Sequence, residues 1–202
     1  MQRIRPFINT DLIKVFTGIR RAGKSVMLEL VKNELKESGI SEENFLCINF
    51  EQFSNSQFLD VESLYKKITD FQKNTKGKIY LFFDEIQEVD GWEKCINSCR
   101  IDFDCDIYIT GSNAKLLSGE LATYLAGRYV EFVIYPFSFA EFFEMNLIKN
   151  PNVDKATCFM QFLKTGGMPF LSKFPDNDSA KSQYLIDIYN SVVLKDVVKR
   201  NN

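Results

Sequence analysis

The segment GIRRAGKS (Gly18–Ser25) places two glycines, a lysine and a serine at the spacing G-x-x-x-x-G-K-[ST]. This spacing suits phosphate. Backbone N–H groups wrap the oxygens, and the helix that follows points its positive end at them. Gly18 and Gly23 permit close approach and unusual dihedrals. Lys24 would reach the β- and γ-phosphates, and the Ser25 hydroxyl would ligate Mg²⁺. The expected phosphate-binding set is therefore Gly18, Arg20, Arg21, Ala22, Gly23, Lys24, Ser25 and Val26. Arg20 and Arg21 are open: they contact phosphate, or they face solvent or a partner. The second reading is favoured slightly, because the backbone already cradles the phosphates.

A second group of residues supplies the rest of a hydrolytic site. IYLFFDE is an apolar strand that delivers Asp84 to its C-terminal end, where ligands sit in open α/β sheets. Asp84 would hold Mg²⁺ through a water, so the expected metal residues are Ser25 and Asp84. Glu85, directly after it, would polarise the attacking water. YITGSN ends another strand, and a polar residue there would position that water. Thr110, Ser112 and Asn113 all qualify, and the alternative is a plain turn followed by a helix cap. Arg128, in LAGRYVEF, would neutralise transition-state charge in trans or in cis, or else be a solvated surface arginine. The catalytic candidates at this point are Glu85, one of Thr110, Ser112 and Asn113, and Arg128.

Positioning these groups requires strands that alternate with helices. LIKVFT (Leu12–Thr17) reads as a buried strand directly before the loop. SVMLELVKNELKESG reads as a helix stopped by Gly39. FLCINFEQ (Phe45–Gln52), GKIYLFFDE, CDIYITGS and YVEFVIYP supply four more strands. VESLYKKITDFQKN, WEKCINSCRI and an interrupted NAKLLSGELATYLAGR supply helices between them. This alternation implies an α/β fold with a parallel sheet covered on both faces. After Pro136 no strand is expected. Ser138 and Glu141 offer a capping box, ATCFMQFLKTGG a helix, and Asp178–Arg200 a long amphipathic helix. The division is drawn as a core domain over 1–137 and a helical subdomain over 138–202. The phenylalanines of FSFAEFF read as core between the two, and Trp92 as a packing residue.

Composition narrows the chemistry. The net charge of -2 gives no global case for nucleic acid or an anionic membrane. There is no histidine, which removes Ser-His and Cys-His catalysis. The 5 cysteines include no C-x-x-C pair, so reduced thiols in a cytoplasmic protein are expected rather than a zinc site. The most apolar stretch, YVEFVIYPFSFAEFF, is broken by Glu131, Pro136 and Glu141 and does not read as a membrane span.

GIRRAGKS, IYLFFDEIQEV, IYITGSN, LAGRYVEFVIYPFSFAEF, TGGMP and LKDVVKR occur in that order. Together they resemble prokaryotic AAA+-type P-loop ATPases, with likeness to archaeal-type and origin-recognition-like members. The resemblance covers nearly the whole chain. It implies ATP and Mg²⁺ as ligands, a five-stranded sheet of order 5-1-4-3-2, and a small helical lid. It implies the roles given above for Lys24, Ser25, Asp84 and Glu85. It implies sensor duty around Ser112 and a finger-like or structural role for Arg128. Gly166–Pro169 corresponds to a lid segment that closes near the nucleotide, and no sensor arginine follows it closely.

The resemblance also implies a further C-terminal domain and a few more residues before RPFI, so the chain is expected to be part of a longer protein whose output domain is the partner. Nucleic acid would be reached only through that region. An oligomer is required if Arg128 acts in trans. The leading expectation is ATP hydrolysis coupled to lid movement. Its rivals are a nucleotide-operated switch with negligible turnover, and a small-molecule kinase. The kinase is disfavoured because the region after Pro136 carries few arginines.

Overall fold

The apolar runs become strands because β-branched and aromatic side chains fit a pleated surface, and the three central ones are shielded on both faces. The structure, a computed structural model, describes residues 1–111, 125–174 and 177–198. The strands are β1 (Ile13–Thr17), β2 (Phe45–Asn49), β3 (Ile79–Asp84), β4 (Cys105–Thr110) and β5 (Tyr129–Val133). Every residue of β1, β3 and β4 is buried. All pairings are parallel and the order is β2-β3-β4-β1-β5, the expected order seen from the other edge. The helices between them are α1 (Lys24–Glu37), α2 (Val61–Asn74) and α3 (Trp92–Asp102). The helix expected around Gly119 and the positions Ser112 and Asn113 lie outside the described residues.

Side-chain alternation splits the core into two layers. Val15, Leu81, Phe83, Ile107 and Ile109 pack with Leu64 and Ile68 of α2 and with Trp92, Ile96 and Cys99 of α3. On the opposite face, Phe82 stacks on Tyr108 with centroids 4.7 Å apart, and α1 buries Leu28, Val31 and Leu35. Trp92 is a packing residue, as expected. β2 ends at Asn49, three residues before the expected limit. There the Asn49 side-chain oxygen accepts the Glu51 N–H at 2.9 Å and turns the chain.

A charged group lies inside this apolar sheet. Lys14 and Asp106 are both fully buried and form an ion pair. Lys14 also donates to the Thr10 carbonyl at 2.9 Å. Asp106 Oδ2 accepts the Asn9 N–H and the Tyr108 hydroxyl, each at 2.7 Å. Burial pulls the Lys14 ammonium down from its ordinary value, against the opposing pull of Asp106. Asn9 occupies a left-handed conformation, φ 61°, which the network helps to hold.

The described residues divide into two compact units: Met1–Gly18 with Lys24–Val133, and Ile19–Gly23 with Ile134–Asn202. The second contains α4 (Phe139–Lys149), α5 (Lys155–Thr165) and α6 (Asp178–Val198). The capping box that opens α4 is formed in both directions, Ser138 N–H to Glu141 Oε2 at 2.8 Å and Glu141 N–H to Ser138 Oγ at 3.3 Å. The phenylalanines of FSFAEFF pack within this unit: Phe139 meets Phe159 at 5.0 Å and Phe142 meets Phe162 at 5.5 Å. α5 stops at Gly166, φ 67°. At Gly167 a side chain is excluded, because a Cβ would stand 1.9 Å from the Phe137 carbonyl oxygen. The Gly167 carbonyl accepts the Phe137 N–H at 2.8 Å, so the two segments pass at backbone distance. Among the described residues, no helix is long and apolar enough to cross a membrane.

Candidate functional site

Parallel strands bring their C-terminal ends to one edge, and four polar residues converge there: Thr17, Asn49, Asp84 and Thr110. The loop after β1 leaves from the same edge. Three residues bend it, with Gly18 at φ 142°, Arg21 at φ 64° and Gly23 at φ 109°. The helix begins at Lys24. Lys24 is 5% exposed, and its ammonium lies 3.3 Å from the Gly18 carbonyl and 3.5 Å from Glu85 Oε1. A buried cation in the first turn of a helix is suited to an anion.

Asp84 is 7% exposed and held on both oxygens. The Thr110 hydroxyl donates to Oδ1 at 2.5 Å, and the Asn49 amide donates to Oδ2 at 2.8 Å. The same Thr110 oxygen accepts the Glu85 main-chain N–H at 2.9 Å. Thr110 therefore ties the two consecutive acids together. Glu85 itself is left-handed, φ 56° and ψ 48°, an uncommon conformation for a residue with a side chain. This turns the chain out of β3 into the short helical turn Ile86–Glu88 and separates the two carboxylates. The Gln87 amide donates to Glu85 Oε2 at 2.6 Å. A cavity of about 280 Å³ opens beside this group, lined by Ser25, Asp84, Asn49, Gln52, Cys47 and Lys32.

Of the residues expected from sequence, Gly18, Lys24, Asp84 and Glu85 meet at this edge, and Ser25 lines the cavity with Asp84. Val26 follows on α1 and is exposed, as is Arg20. Arg21 is engaged elsewhere. Its guanidinium donates to the Tyr184 hydroxyl at 3.0 Å and lies over the rings of Tyr184 and Phe170, at 5.2 and 5.7 Å. Of the two readings left open for Arg21, this contact within the helical unit fits the one in which it faces a partner rather than phosphate. Ala22 is buried, and its N–H closes a turn onto the Ile19 carbonyl.

For Arg128, one of the expected alternatives requires a correction, the role in cis. Arg128 precedes β5, and its carbonyl accepts the Ile13 N–H, at the start of β1. The loop leaves the other end of β1, roughly 16 Å away at 3.3 Å per residue. The Arg128 guanidinium instead donates to Asn97 at 3.2 Å. A role in cis on the phosphates is excluded by this edge of the sheet.

A model of the AAA domain family matches residues 10–143. The chain belongs to that family of P-loop ATPases. This AAA domain is 43% identical over 202 residues to an uncharacterized protein of Haemophilus influenzae, covering 99% of this chain and 50% of that one. It is 35% identical over 203 residues to an uncharacterized protein of Methanocaldococcus jannaschii, covering 94% of this chain and 43% of that one. The chain thus spans half or less of the length of these relatives. In fold, it is similar to AMPPCP-bound DnaA from Aquifex aeolicus, with TM-score 0.58 at 15% identity over 94% of this chain and 58% of that one. It is also similar to Rhizobiales Trip13, with TM-score 0.53 at 13% identity over 90% and 75%.

Two residues of the AAA domain site were not anticipated, Asn49 and Gln87. Each is an amide that holds one of the two acids. Asn49 carried a signal in the sequence: it is a polar residue at the end of an apolar strand, as Asp84 and Thr110 are.

Proposed function

We propose that the chain binds ATP with Mg²⁺ and hydrolyses it to ADP and phosphate. The observation that carries this reading is the pairing of a buried lysine at the loop with two tied acids, Lys24 lying 3.5 Å from Glu85 and Thr110 bridging Glu85 to Asp84. In this reading the loop from Gly18 to Ser25 holds the triphosphate, and Lys24 exchanges its contact with Glu85 for phosphate oxygens. Ser25 and Asp84 suit Mg²⁺, because both offer hard oxygen donors to one cavity and the Asp84 carboxylate is already held in place. Mg²⁺ held there would supply positive charge against the phosphates. Glu85 takes a proton from water as its oxygen bonds to the γ-phosphorus. The bond from that phosphorus to the bridging oxygen breaks, and ADP leaves with the electron pair.

Thr110 fixes the two acids; Ser112 and Asn113, the other candidates for positioning the water, lie outside the described residues. That DnaA, a protein of like fold, binds AMPPCP supports a nucleotide as the ligand. Hydrolysis would be coupled to movement of residues 138–202, since Arg21 belongs to the loop and its side chain is held by Tyr184 and Phe170. The further domain expected after this chain would receive that movement.

The test measures ATP affinity and phosphate release together. Lys24→Ala should abolish binding. Glu85→Gln should retain binding and lower turnover by about 100-fold or more, the usual contribution of a general base. Unchanged turnover in Glu85→Gln refutes its role, and tight binding with no turnover in the unsubstituted chain points to a nucleotide-operated switch.

A further inference from the structure

Gln87 enters neither the loop pattern nor the pair of acids, yet its side chain reaches back two residues to the second acid. Glu85 needs such a contact. Its left-handed backbone is fixed by the Thr110 oxygen on its N–H and by the 3.1 Å bond from the Glu88 N–H to its carbonyl. Ile86, fully buried, anchors the turn from below. None of these touches the carboxylate. Two groups do: Lys24 lies 3.5 Å from Oε1, and the Gln87 amide donates to Oε2 at 2.6 Å.

The orientation of that amide is informative. Gln87 Oε1 is buried and has no hydrogen-bond partner among the described residues. Turning the amide over would set this oxygen against the Glu85 carboxylate. The charged acceptor therefore decides the orientation, at the cost of an orphaned carbonyl.

We infer that Gln87 is the positioning residue for Glu85: its amide holds Oε2 so that Oε1 is presented to the attacking water once Lys24 has moved to phosphate. This rests on the hydrolytic reading above. Lys24 serves Glu85 only while it is not serving nucleotide, so during turnover the amide is the carboxylate's remaining side-chain partner among the described residues. Water attack by a general base requires a fixed oxygen at a fixed distance, and small displacements of a base are costly.

The experiment uses the 202-residue chain with Gln87→Met, which keeps the length without the donor, and Gln87→Glu, which replaces the donor by a repelling acceptor. Affinity for a fluorescent ATP analogue reports the fold and the loop. The expected result is a fall in kcat of about 10- to 100-fold in both variants, with KM and affinity within about twofold of the unsubstituted chain. In a Glu85→Gln background, Gln87→Met should leave residual turnover unchanged, because there is no base to hold. Wild-type kcat in Gln87→Met overturns the inference. So does an equal loss in the Glu85→Gln background, which would mark a structural role. If one variant loses nucleotide binding, the other decides by the same criterion. Absence of turnover in the unsubstituted chain overturns the hydrolytic reading and this inference with it, whereas turnover there with unaltered Gln87 variants overturns this inference alone.

Discussion

Asn49 and Asp84 are register partners at the ends of β2 and β3, and the Asn49 amide donates to Asp84 Oδ2 at 2.8 Å. With Thr110 on Oδ1, the carboxylate plane is fixed before any ion arrives. Under the proposed reading, in which Asp84 serves Mg²⁺, Asn49 and Thr110 are the partners that orient it.

Asn49→Ala should therefore raise the Mg²⁺ concentration needed for half-maximal turnover by about 10-fold or more, the typical cost of losing such a partner. Binding of nucleotide measured without Mg²⁺ should not change. Titrating Mg²⁺ at saturating ATP checks this, and an unshifted midpoint contradicts the role.

Arg21→Ala removes one hydrogen bond and two ring contacts from an exposed side chain. The expected loss of stability without nucleotide is about 1 kcal/mol, in the range for cation–π contacts at exposed sites. Arg21→Lys should restore only part of it, because the planar guanidinium is lost. Denaturant unfolding of the three proteins reads the difference.

The Lys14–Asp106 pair predicts a larger effect. Lys14→Met alone leaves Asp106 charged and buried, and should cost about 3–5 kcal/mol. Replacing both, Lys14→Met with Asp106→Leu, should recover much of that loss, since an apolar pair carries no desolvation penalty. Equal destabilisation by the single and double variants would contradict this account.

Glu42 predicts a pH effect. Hydrogen bonds from Lys32 at 2.6 Å and Lys36 at 2.8 Å hold its carboxyl down to about 2, below its ordinary 4.5. The folded value is the lower one, so the contribution is complete above pH 4.5 and is lost as pH falls toward 2. Nuclear magnetic resonance titration of the Glu42 carboxyl should show the low midpoint. Substituting both lysines by alanine should return it toward 4.5. The group is exposed and the pair screened, so the change in overall stability should be small.

The strands and the loop were legible in the sequence for one reason: burial on both faces demands continuous apolar runs, and LIKVF, IYLFF and CDIYI supply them. Asp84 and Glu85 followed, because they end and follow such a run, and Lys24 followed from the spacing of the loop's glycines. Asn49 and Gln87 were not found, since their partners lie on another strand or across a turn and no fixed spacing announces them. Lys14 reads in sequence as a lone charge in a strand, and only its pairing with Asp106, 92 residues away, explains its burial. For Arg128, the alternative in cis could have been set aside from information already present, whereas the trans and structural alternatives could not. A residue before a strand in a parallel sheet lies at the edge opposite to residues that follow strands, so its position relative to GIRRAGKS was fixed by strand direction.

Thr110 has one further consequence. A threonine hydroxyl carries a single proton and two lone pairs. That proton lies toward Asp84, and one lone pair receives the Glu85 N–H. The oxygen therefore has no hydrogen left to offer a phosphate or a water while both bonds stand. It is a strut with its donor capacity exhausted, and any proton donated to the γ-phosphate from this strand end must come from a different atom. Thr110→Ser preserves that accounting and should be tolerated, whereas Thr110→Val keeps the shape and removes both links at once.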